Sequence, residues 1–128
     1  MVRAVASAFG IAFLAVGVLG FILNPTGGEL LGIFAVNVVH NLVHVAFGVL
    51  GIAASFTKWS RTYLQIVGAI YLLLGILGFV PGLYFGHEML LGLVHINLAD
   101  NLLHLALGGA AAYFGFVSQP LGRASSTA

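Results

Sequence analysis

Gly32 to Gly48 reads GIFAVNVVHNLVHVAFG, and sixty residues further on Gly92 to Gly108 reads GLVHINLADNLLHLALG. Seven of the seventeen aligned positions are identical, and most of the others exchange one aliphatic side chain for another. Asn37 matches Asn97, Asn41 matches Asn101 and His44 matches His104, while Asp100 stands where His40 stands. Each copy carries Asn-x-x-(His/Asp)-Asn-x-x-His inside an otherwise apolar segment long enough to cross a bilayer. Ionisable groups in hydrocarbon are costly, so they face a bundle interior and mark function.

The rest of the chain supplies the hydrocarbon-facing surface. Only 5% of residues are charged and 61% are hydrophobic, at a mean hydropathy of +1.15. Soluble domains carry about 25% charged residues. One helical span takes about 20 residues, which predicts four spans over Val5–Leu23, Leu30–Phe56, Tyr63–Val80 and Met89–Val117. The expected architecture is an all-α, integral-membrane four-helix bundle over residues 1–117. The polar tail 118–128 (SQPLGRASSTA) is expected to be disordered. The first apolar run exceeds a signal-peptide core of about 7–15 residues, and Leu23-Asn24-Pro25-Thr26 is a poor cleavage site, so the span is expected to be retained.

A second alignment extends the duplication. Gly10–Phe21 (GIAFLAVGVLGF) matches Gly68–Phe79 (GAIYLLLGILGF) at six of twelve positions. The unit is span, short outer turn, span, giving repeat one over 5–56 and repeat two over 63–117. Each unit crosses the membrane an even number of times, so the copies run parallel about an axis along the membrane normal, unlike inverted transporter repeats. The eighteen glycines suit close helix approach in a membrane. A gap for a flat cofactor is the rival reading.

Within the stripe, Asn37, His40, Asn41, His44 and Gly48 share a ~100° arc of one helix, and Asn97, Asp100, Asn101, His104 and Gly108 share the matching arc. With spans starting at Leu30 and Leu90, a rise of ~1.5 Å per residue puts His40 and Asp100 about 15 Å deep, near the midplane. Four readings follow. Asn and His can simply hydrogen-bond between helices. His40, His44, Asp100 and His104 can instead form a three-nitrogen, one-oxygen shell for a divalent transition metal, the i, i+4 histidines presenting two imidazoles on one face. Asn37, Asn41, Asn97 and Asn101 would then orient those ligands. His44 and His104 can alternatively be axial ligands of a b-type haem, with Gly48 and Gly108 leaving room for the macrocycle. Finally, a His–Asp proton or ion relay fits the residue types, although no path to the inner face is evident. His95 falls roughly opposite the stripe, and His87 beside Glu88 reads as a surface residue. Glu29 and Glu88 read as charges at the starts of the two long spans, complementing the helix N-termini.

The remaining functional classes are thin. Cysteine is absent, which excludes disulfides and thiolate ligands. No hydrolase triad or phosphate loop is present, and four cations at turns and termini give nucleic-acid binding no support. An enzyme acting on a diffusible substrate is the least supported class, since no pocket-forming loops are expected on either face. The rival to a cofactor site is an accessory subunit whose stripes pack helices within a homo-oligomer or larger membrane complex.

The Asn37–Gly48 motif N-x-x-H-N-x-x-H-x-x-x-G, the Asn-Leu-Leu-His-Leu copy and the span order over essentially the whole chain resemble a bacterial family of four-span membrane proteins (domain of unknown function 4383). The resemblance implies a four-helix protein of the inner (plasma) membrane and brings no activity with it. It departs from a simple duplicate at Asp100.

Arg3, Lys58, Arg61 and Arg123 all fall on one side of the expected spans. The positive-inside rule then puts both termini in the cytoplasm. A reporter active only in the cytoplasm, fused to either terminus, is expected to be active, and one inserted after Gly82 silent. The reverse pattern would overturn the orientation.

Overall fold

In the computed structural model, which describes residues 1–118, four helices form a bundle. They are α1 (Val2–Leu23), α2 (Val38–Ser55), α3 (Ser60–Leu77) and α4 (Leu98–Ala112), the last continued by a π-helical turn over Tyr113–Val117. The tail expected to be disordered lies, from residue 119 on, outside the described residues. Helices α1, α2 and α3 are long and apolar enough to cross a membrane. Their outward faces carry exposed Ile11 and Ile22, Leu42 and Leu50, and Leu73 and Ile76.

Helix α1 packs chiefly on α2, and α3 on α4. Glycine sets how closely. A Cβ on Gly10 would lie 2.5 Å from the Ile52 nitrogen, and one on Gly48 would lie 2.5 Å from the Leu14 nitrogen. In the second pair, a Cβ on Gly68 would lie 2.6 Å from the Ala112 nitrogen and one on Gly108 2.6 Å from the Leu72 nitrogen. These contacts fall at matching sequence positions in the two pairs. The glycines therefore serve helix contact, and Gly48 and Gly108 open no space for a macrocycle. Between the pairs, Phe13 and Tyr71 stack with centroids 4.9 Å apart at an interplanar angle of 15°, inside a core completed by Ala6, Leu64, Val67 and Ala111. At the end of the bundle where α3 begins, Arg61 donates to the carbonyls of Gly115 (3.1 Å) and Ser118 (2.8 Å), satisfying acceptors left open where the last helix ends.

The opposite end of the bundle corrects the expected span boundaries. Helix does not run from Leu30 or Met89. Instead β1 (Gly28–Leu30) pairs antiparallel with β2 (Phe34–Val36), and β3 (Met89–Leu90) with β4 (Val94–His95). Leu31 and Gly32 turn the first hairpin at φ 55° and 69°, and Leu91 and Gly92 turn the second at 53° and 70°. Left-handed backbone is costly for leucine, so each turn depends on its glycine and on the Ile33 N–H to Leu30 and Leu93 N–H to Leu90 hydrogen bonds (3.1 and 3.0 Å). Hydropathy cannot separate an apolar hairpin from an apolar helix, which is why the two merged in the sequence reading. Glu29 consequently lies within β1 and Glu88 immediately before β3, and neither stands at a helix N-terminus.

Gly48→Val is expected to destabilise the bundle by about 1–3 kcal/mol or more, because the added atoms meet backbone that cannot yield. Gly109, whose Cβ would meet nothing within 4 Å, is the control: Gly109→Ala should be neutral or stabilising by about 0.5–1 kcal/mol. Thermal unfolding in detergent separates the two.

Candidate functional site

The polar stripe divides into two layers. The outer layer ties each hairpin to the opposite helix pair. Asn37 is the N-cap of α2: its Oδ1 accepts from the His40 N–H (2.9 Å) and its Nδ2 donates to the Leu93 carbonyl (2.9 Å). Asn97 does the same for α4, accepting from the Asp100 N–H (3.1 Å) and donating to the Ile33 carbonyl (2.8 Å). Asp100 completes a capping box, its Oδ2 accepting from the Asn97 N–H (2.9 Å), and that oxygen also accepts from the Ala35 N–H (2.9 Å). His40, at the matching position, places Nδ1 3.0 Å from the His95 carbonyl. A carbonyl only accepts, so Nδ1 carries the proton and Nε2 is left as the lone pair of a neutral ring.

These contacts relocate the stripe. His40 and Asp100 are the third residues of their helices, so they lie ~3 Å inside the helix starts, and His44 and His104 lie ~9 Å inside. The first layer therefore lies where α2 and α4 begin, beside the hairpins, and His44 and His104 lie about one turn further along. The expected depth rested on helix from Leu30 and Leu90, which the hairpins replace.

The inner layer is buried and largely without partners. His40, His44 and His104 each offer a ring nitrogen within 4.8 Å of the other two, and all three are buried. Nδ1 of His44 and Nδ1 of His104 are buried and make no hydrogen bond, although unpaired buried polar groups are rare. The His40 ring centroid lies 4.9 Å from that of His44 and 5.8 Å from that of His104. Phe13 and Tyr71 wall the cluster, edge-on to His44 at 5.4 Å and to His104 at 5.1 Å respectively. Asn101 donates to the Gly78 carbonyl (2.9 Å), whereas both side-chain polar atoms of Asn41, packed on Gly20, have no partner. The structure therefore brings together three of the four expected ligands. Asp100 lies outside that group, its Oδ2 already shared by two backbone N–H groups.

His95 is the residue the sequence reading undervalued. It lies on β4, where its Nε2 pairs with Glu88 Oε2 at 3.0 Å, its Nδ1 lies 3.3 Å from the Val36 carbonyl, and its own carbonyl holds His40. Its helical angle carried no information because it is not on a helix. His87 is exposed, as expected. The capping signal Asn97-x-x-Asp100 was present in the sequence and marks a helix start rather than a helix interior.

A helical bundle with three helices apolar enough to span a membrane and a buried histidine cluster at one end defines the class. The chain belongs to the family described as domain of unknown function (DUF4383), whose profile covers residues 3–117. No curated protein and no solved structure matches it significantly.

Asn37→Ala removes a cap, worth about 0.5–2 kcal/mol, and also leaves the Leu93 carbonyl unpaired. Asn37→Ser retains a capping oxygen but no amide donor, and should recover only the capping share. Chemical or thermal unfolding of the three proteins measures the partition; equal loss in both variants would show that the cap contributes nothing.

Proposed function

We propose that this is a multi-pass protein of the bacterial inner membrane, both termini cytoplasmic, that binds one divalent transition-metal ion through His40, His44 and His104. The observation that carries this reading is the set of three buried imidazoles within 4.8 Å of one another, two of which hold an unpartnered Nδ1. A structural role alone leaves those nitrogens unpaid for in hydrogen bonds, whereas it accounts fully for Asn37, Asn97 and Asp100.

Three neutral nitrogen ligands with an open fourth position suit zinc, copper, nickel or iron(II). The His95 carbonyl orients His40 in the way that outer hydrogen bonds orient metal-ligating histidines. Asp100, next to the cluster, fixes α4 so that His104 is presented at the right height. A b-type haem on His44 and His104 suits the packing less well: the His40 ring lies close to both, where a macrocycle would need free space.

The test uses protein purified from membranes without chelator or metal-affinity steps. Elemental analysis and Co2+ titration are expected to give one ion per chain. His44→Ala and His104→Ala should each abolish binding, and His44→Gln should not restore it, while His87→Ala should bind normally. Wild-type protein that takes up no Zn2+, Co2+, Ni2+ or Cu2+ would overturn the assignment, as would undiminished binding by both His→Ala variants.

A further inference from the structure

Helices α1 and α4 do not close on each other along the outer half of the bundle. Between them lies a cavity of about 350 Å3, within the ~300–1,000 Å3 range of small-molecule sites. Its walls are apolar, with Ala12, Val16 and Leu19 on α1 facing Leu103 and Leu107 on α4. The histidine cluster lines it as well. Its polar lining comes from His40, His44, His104 and Asp100 alone, so a ligand here meets hydrocarbon along its length and imidazole at one place.

Charge selects the head group. A divalent ion held by three neutral imidazoles keeps a net charge of +2 in apolar surroundings, which is strongly unfavourable unless compensated. Asp100 lies nearby, its Oδ2 accepting from the Ala35 and Asn97 N–H groups, and its single negative charge leaves one positive charge of the ion uncompensated. An anion on the open coordination position lowers that charge directly. We propose that the cavity binds a long-chain carboxylate, its chain between α1 and α4 and its carboxylate on the metal ion at His40, His44 and His104. The proposal rests on the metal reading for its polar end.

The experiment uses Co2+-loaded full-length protein in phosphatidylcholine nanodiscs, followed by the visible d–d spectrum, with hexadecanoate as the probe and its methyl ester as the uncharged control. Hexadecanoate is expected to change the spectrum saturably, and the methyl ester to leave it unchanged. Ala12→Trp fills the cavity away from the histidines, and should weaken the hexadecanoate response at least tenfold while its starting Co2+ spectrum stays that of the wild type. Val16→Trp serves the same purpose should Ala12→Trp fail to fold. A bound Co2+ whose spectrum ignores hexadecanoate overturns this proposal and leaves the metal site standing. A response equal in wild type and the cavity-filled variant overturns the placement of the chain. Absence of Co2+ binding overturns both readings together.

Discussion

Backbone N–H and C=O groups at an apolar helix end must find partners, and the rest of the structure follows from how this chain supplies them. Two short hairpins sit at one end of the bundle, with Ala35 and Val36 of the first buried against the helices. Unsatisfied edges there would each cost several kcal/mol in a hydrocarbon setting. Asn37, Asn97, Asp100 and His40 meet that demand, each from a helix start and each directed at the hairpin of the opposite pair. The helix caps and the ties between the two halves are thus the same side chains.

This arrangement also explains the one break in the duplicated motif. At Ala35 the first hairpin offers an N–H, and at the matching His95 the second offers a carbonyl. The residue facing an N–H must accept, and Asp100 does; the residue facing a carbonyl must donate, and His40 does through Nδ1. The difference between His40 and Asp100 is therefore a difference in the backbone each meets. It has a consequence for chemistry. Donation from Nδ1 frees the other nitrogen of His40, so a structural contact prepares a third imidazole for the pair His44 and His104.

Below this layer the packing is set by glycine and closes tightly within each helix pair, while the α1–α4 side stays open. The contrast places an enclosed polar cluster at the edge of an apolar cavity. Stacked Phe13 and Tyr71 wall the cluster, and Phe13 also lines that opening.

Composition and hydropathy alone determined that the chain forms four apolar helices, because burying apolar surface depends on residue type and period. The duplicated stripe likewise identified His40, His44 and His104 before any coordinates, since i, i+4 spacing fixes a shared helical face. Where the helices begin was not legible from hydropathy: Leu30–Val36 is as apolar as a span, and only left-handed turns at Leu31-Gly32 and Leu91-Gly92 make it a hairpin. Tertiary structure decided what each polar residue does. Asp100 and the Asn37 and Asn97 amides are taken up by backbone groups about sixty residues away in sequence, and no local pattern encodes that partner. The same distant contacts tied His40 through Nδ1 and left His44 and His104 beside it with an unpartnered Nδ1, so which imidazole nitrogens stay free was decided by which hydrogen bonds the hairpins consumed.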